Sequence, residues 1–111
     1  MSSDPILEVV VQRLEDGCVI RVRGEVDLSS IVELRGPLAA AREQGAATLV
    51  DLSGVTFMDS SGLHLMLKTA LDAEADDWSL SFRISREVRR LLEVTGTLDV
   101  VRIVPGGKGG D

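Results

Sequence analysis

Apolar and polar positions set the chain's punctuation. Residues 6–14 are rich in β-branched side chains around Val9-Val10-Val11, and further on Cys18, Ile20 and Val22 alternate with Val19, Arg21 and Arg23. A period of two marks a strand with one buried and one wet face. Asp16-Gly17 between the runs is a tight-turn signal, so the pair predicts an antiparallel hairpin. The period then lengthens. Leu34, Leu38 and Ala41 fall on one helical face that reaches about Glu43 and stops at Gly45. Ser30 and Glu33 have capping-box spacing at its start. Gly36-Pro37 interrupts the pattern, and an interior proline costs ~3 kcal/mol, so the helix is expected to kink or to begin at Pro37.

Thr48-Leu49-Val50-Asp51-Leu52 is a short apolar run of central-strand type. After Asp59, Leu63, Leu67, Ala70 and Leu71 recur at helical spacing. Asp72, Glu74, Asp76 and Asp77 crowd the end of that helix, where negative charge is unfavourable, which predicts a stop near Glu74. Trp78, Leu80, Phe82 and Ile84 alternate with Ser79, Ser81 and Arg83 in a half-buried strand. Ser85 caps a further helix with Val88, Leu91 and Leu92 inward and Gly96 at its end, and residues 100–104 form a last strand. The order β-β-α-β-α-β-α-β predicts an α/β domain: a mixed sheet that starts in a hairpin and continues through helix crossovers. The turns at Asp27 and Asp59 both lead from a strand into a helix. They are expected near each other at the carboxyl ends of the strands, where sites form in such folds.

Length and composition narrow the function. With 111 residues the chain suits one core, and with 3% aromatics that core is mostly aliphatic. A formal charge of −6 argues against nucleic acid as a direct partner. Cys18 is the only cysteine, so no internal disulfide is expected and a cytoplasmic setting fits. No signal-peptide pattern and no apolar run of membrane-spanning length is present, so no membrane role is expected. The segment from Pro105 to Asp111 reads as a flexible glycine-rich tail. Its Gly-Gly-Lys-Gly is not a phosphate loop, because no helix follows it.

The chemistry concentrates in Asp59-Ser60-Ser61-Gly62. A carboxylate and two hydroxyls stand at a helix N-terminus, where free N–H groups and the dipole favour negative charge. Such residues can cap the helix, and a serine there can also carry a phosphate. His64 lies three residues after Ser61, but one helical turn does not supply a base aimed at a nucleophile together with a group orienting that base. Cys18 and His64 lack metal-ligand spacing. The residues therefore give neither an enzyme nor a metal or cofactor site. Arg86, Arg89 and Arg90 read as a solvated helix face.

Three segments, in order, resemble the STAS domain, and within it the bacterial anti-sigma factor antagonists. They are the stretch from Asp51 to Leu63 (DLSGVTFMDSSGL), Gly24-Glu25-Val26-Asp27 before the first helix, and the stretch from Val88 to Gly96 (VRRLLEVTG). The likeness covers residues 6–104, and residues 1–104 are assigned to this one domain. Departures are Ser85-Arg86 where Ser-Pro is common, Gly36-Pro37 in the first helix, and a glycine-rich segment where the family continues into a C-terminal helix. The resemblance implies a switch. Such antagonists bind an anti-sigma factor that is also a serine kinase, and so free a sigma factor. The kinase phosphorylates the antagonist, the pair separates, and a separate phosphatase reverses the modification. By the family pattern the acceptor is the serine before the glycine, Ser61, with Ser60 as the fallback. Asp27, Met58, Asp59, Ser60 and Gly62 become partner-facing candidates, although Asp27 also reads as a turn residue and Met58 as packing at the loop. A rival with the same fold is a STAS scaffold subunit that stays bound in a larger signalling or transport assembly.

Overall fold

The computed structural model describes residues 6–105. Most of the glycine-rich tail, residues 106–111, lies outside the described residues, as do residues 1–5. β1 (Leu7–Leu14) and β2 (Gly17–Val26) form the expected antiparallel hairpin, in unbroken register from Leu7↔Gly24 to Leu14↔Gly17. The turn is made by Glu15 and Asp16, and Gly17 already belongs to β2. A Cβ on Gly17 would stand 2.2 Å from the Ala47 carbonyl oxygen. The glycine therefore serves the close approach of the neighbouring strand and not the turn.

α1 (Val32–Gln44) follows β2, then β3 (Ala47–Met58), α2 (Ser60–Asp76), β4 (Leu80–Ile84) and α3 (Arg86–Thr95). The sheet order is β1-β2-β3-β4, with β2–β3 and β3–β4 parallel. Along β2, β3 and β4 every second residue is buried: Cys18, Ile20 and Val22, then Val50 and Leu52, then Leu80 and Phe82. They join Leu34, Leu38 and Ala41 of α1, Met66 and Ala73 of α2, and Val88 and Leu92 of α3 in one core. The opposite face is open to water. Asp51 sits there between Arg83 (3.6 Å) and Arg21 (4.0 Å).

Several expectations change. The Ser30–Glu33 capping box does not form: Ser30 Oγ donates to the Glu25 carbonyl (2.8 Å) and accepts from the Asp27 N–H (3.0 Å). α1 is instead entered through i→i−3 turns, Glu33 N–H to Ser30 O and Leu34 N–H to Ile31 O. The helix begins at Val32 and runs through Pro37. Its buried stripe, Leu34, Leu38 and Ala41, spans both sides of the proline, and this packing outweighs the one hydrogen bond that Pro37 cannot donate. α2 continues to Asp76, past Glu74, because Arg42 of α1 reaches across to Asp72 (3.2 Å) and Asp76 (2.5 Å) and Lys68 pairs with Asp72 (3.0 Å). Asp77 then closes the helix in the left-handed region at φ 58°.

The last strand is reduced to one bridge. Residues 98–100 form a 3₁₀ turn, after which Ile103 pairs with Phe82. Trp78 precedes β4 instead of joining it, and its ring N–H donates to the Ala46 carbonyl at 2.9 Å. Ser85 and Gly96 act as expected at the ends of α3: the Ser85 hydroxyl accepts from the Val88 N–H, and Gly96 is left-handed. Gly45 ends α1 the same way.

Candidate functional site

β2 and β3 are adjacent and parallel, so Val26 and Met58 end the two strands side by side. The residues that follow them, Asp27 and Asp59, each begin a turn into a helix, and the Asp59 N–H donates to the Val26 carbonyl at 3.0 Å. The two strand–helix turns thus lie together at one end of the sheet, as the connectivity requires.

Asp59 is the N-cap of α2, with extended backbone (φ −97°, ψ −171°). Its Oδ1 accepts from the Ser61 N–H (2.9 Å), the Gly62 N–H (3.3 Å) and the Ser61 hydroxyl (2.5 Å). The first orphan donors of the helix are therefore satisfied from within the turn. The Ser61 hydroxyl does most to hold the Asp59 carboxyl below the ordinary aspartate value of 3.8; burial opposes it, and the Gly62 and Ser61 N–H groups add smaller lowering effects.

Asp27 repeats the chemistry. Its Oδ1 accepts from the Ser29 hydroxyl (2.8 Å) and from the Ser29 and Ser30 N–H groups (both 3.0 Å). The Ser29 hydroxyl is the main cause that lowers its pKa. A third Asp-x-Ser of the same form, Asp51-Leu52-Ser53, lies on the wet face of the sheet, away from these turns.

Within the 59–62 turn, Ser60 is exposed, Ser61 and Asp59 are half-buried, and Gly62 is buried. A Cβ on Gly62 would meet Met58 Cγ and Val26 Cγ1, both at 2.7 Å. Met58 is itself buried at 8% exposure. Met58 and Gly62 thus form the floor of the turn, while Asp27, Asp59, Ser60 and Ser61 reach solvent. The glycine lets α2 pack closely on Val26 of β2 and Met58 of β3.

His64 is exposed, and the Ser61 hydroxyl donates to Asp59 and not to the imidazole. Among the described residues, no cluster of His, Cys, Asp or Glu is arranged to hold a metal, and no helix is long and apolar enough to cross a membrane. Cys18 is buried, with Sγ 3.5 Å from Thr48 Oγ1. Three exposed apolar residues border the turns and escaped the sequence reading: Leu28, Val32 and Phe57. The available signal was Leu28 in an otherwise polar turn, and Phe57 out of phase with buried Val55 and Met58.

The chain matches the family model described as "Mlab, STAS domain" over residues 9–104. It is 31% identical over 105 residues to the anti-sigma-B factor antagonist of Bacillus subtilis (strain 168), a match spanning 94% of this chain and 96% of that protein. Against the anti-sigma-B factor antagonist of Staphylococcus aureus (strain NCTC 8325 / PS 47) it is 33% identical over 89 residues, or 78% and 82% of the two chains. In three dimensions it resembles an anti-sigma factor antagonist from Mycobacterium paratuberculosis, with a TM-score of 0.81 at 21% identity over 95% of this chain and 91% of that one. It also resembles the anti-sigma factor antagonist SpoIIAA in its unphosphorylated form, with a TM-score of 0.70 at 24% identity over 88% and 89%. The structural likenesses show a shared fold.

Proposed function

The chain belongs to the STAS domain family, and from that premise we propose that it is an anti-sigma factor antagonist switched off by a phosphate on Ser61. It acts in the cytoplasm as a binding module and does no chemistry of its own. Its partner is an anti-sigma factor that is also a serine kinase, and a separate phosphatase restores the binding form.

One observation carries the reading: the Ser61 hydroxyl, at the accessible end of the sheet, is held 2.5 Å from the Asp59 carboxylate. Esterifying that oxygen removes the proton that it donates. It also puts ≈ −1.5 to −2 charges beside a carboxylate that the turn keeps ionised. The modified side chain must leave Asp59 and turn outward. The helix N-terminus returns about 0.3–1 kcal/mol to an anion at the surface, so the fold survives. Burying the same anion unpaired under a partner costs several kcal/mol, and about 1.4 kcal/mol is already tenfold in affinity. The effect therefore falls on the complex. Leu28, Val32 and Phe57 supply apolar area around the turn for a partner to cover.

Two measurements test this. With the cognate kinase and ATP, label is expected in wild type and in Ser60→Ala, and is lost in Ser61→Ala; the reverse pattern transfers the role to Ser60. In a pull-down from the native host, the kinase is expected with wild type and Ser61→Ala and absent with Ser61→Asp. Equal retention by all three would favour the constitutive scaffold subunit.

A further inference from the structure

The two edges of the sheet are treated differently. Along β4, residues 102–104 cover the edge: Phe82 donates its N–H to the Arg102 carbonyl and the Val104 N–H donates to the Phe82 carbonyl, both at 2.8 Å. Along β1, no chain pairs with the outer edge among the described residues. Edge strands of monomers are usually short, bulged, or broken by lysine or proline. β1 is eight residues long, contains neither residue, and runs without a bulge against β2. The Glu25 N–H donates to the Ile6 carbonyl at 3.0 Å. The alternating antiparallel ladder therefore directs the polar groups of Glu8, Val10 and Gln12 to β2, and those of Leu7, Val9, Val11 and Arg13 outward.

From this geometry we infer that β1 pairs antiparallel with β1 of a second copy, with Val10 on the two-fold axis, to give one sheet of four strands from each molecule. The side chains select the register. Ile6, Val10 and Leu14 share the wet face at 55%, 50% and 51% exposure. With Val10 on the axis, Ile6 meets Leu14 of the second copy, Val10 meets Val10, and Leu14 meets Ile6. On the helix-covered face, Val11 (43% exposed) meets Val9. Glu8 faces a Gln12 amide and Arg13 faces Leu7, so no like charges oppose each other. The registers two residues away fail this test. An axis at Val11 sets Val10 against Gln12 and Leu14 against Glu8, and an axis at Val9 carries Leu14 past Ile6, the first of the described residues. Registers of odd offset place outward-bonding residues opposite inward-bonding ones.

One strand pair is a small interface, which implies a concentration-dependent dimer in roughly the micromolar to millimolar range. Antiparallel pairing also sends the two Asp59–Ser61 turns to opposite ends of the joined sheet. Neither blocks the other, and the dimer stands or falls independently of the switch.

Sedimentation velocity across that range is expected to show monomer passing to dimer, and Val10→Lys, which puts two ammonium groups on the axis, to weaken dimerisation at least tenfold. Amide hydrogen exchange on the unaltered chain gives a second readout. The Leu7, Val9, Val11 and Arg13 amides should become protected as concentration rises, while Glu8, Val10 and Gln12 stay protected throughout. A chain that is monomeric across the range overturns the inference, and so does a dimer whose odd-numbered β1 amides exchange as fast as in the monomer. Protection of those amides already at the lowest concentration, through pairing with the chain's own residues 1–5, overturns it as well.

Discussion

The turns at Asp27 and Asp59 begin from the same chemistry and end differently. Each places an aspartate after a parallel strand, and each aspartate accepts both the N–H and the hydroxyl of the serine two residues on. In the Asp59 turn these N–H groups are the first donors of α2, so capping the helix and holding the serine are one act. In the Asp27 turn the bonds close a separate loop; α1 starts only at Val32, and Ile31 at its cap makes no side-chain bond. Ser29 is exposed and supports a loop, whereas Ser61 is half-buried inside a helix start. The lesson is that Asp-x-Ser is a structural unit, and its relation to the following helix decides what a modification of the serine would disturb.

The sharpest way to break this comparison is to charge both serines. Ser61→Asp is expected to weaken anti-sigma partner binding more than tenfold by calorimetry, and Ser29→Asp less than threefold; equal losses would mean that the turns are equivalent. Next come the supports beneath each turn. Gly62→Ala forces a methyl group against Met58 and Val26 and should cost about 1–3 kcal/mol in urea unfolding. Ser30→Ala leaves the Asp27 N–H and the Glu25 carbonyl without their partner, at a cost of about 1–3 kcal/mol. A neutral Gly62→Ala would remove the packing account of that glycine.

Acid treats the two turns alike. Both carboxylates have folded pKa values below the ordinary 3.8. Their contribution is therefore present above the unfolded-state value and lost as pH falls through the folded values. Denaturation midpoints taken between pH 6 and about pH 2 should fall less steeply on the acid side for Asp59→Asn and Asp27→Asn than for wild type. Unchanged slopes in both variants would show that the hydroxyls do not stabilise the charged forms. The smallest expected effect is Ser29→Ala at this exposed position, within about 0.5 kcal/mol of wild type.

What could be read from the sequence was what local chemistry decides. Alternation gave the hairpin and β4, helical spacing gave α2 and α3, and Ser85, Gly45 and Gly96 marked ends because caps act within a turn. The proximity of Asp27 and Asp59 followed from two parallel strands with helix connections. Partners chosen across the fold stayed hidden. Ser30 bonds back to Glu25 although its spacing to Glu33 suits a capping box. Arg42 rescues an acidic helix end from another helix. Gly17 looks like a turn residue and Gly62 like a partner-facing one, yet each also permits the close approach of a neighbouring strand. In the site, the sequence identified the polar residues but not which of them lie in the floor, nor the exposed Leu28, Val32 and Phe57 around them.

The filled space under Gly62 also limits how this surface can diverge. A position where even a methyl group forces Met58 and Val26 to shift offers little room for variation. Under the proposed switch, a change of partner falls on Ser60, Leu28, Val32 and Phe57, which are exposed and lie outside the core. On the proposed reading, Ser61 sits on a packed seat inside an exposed rim, and copies of the domain with different rims would answer to different partners.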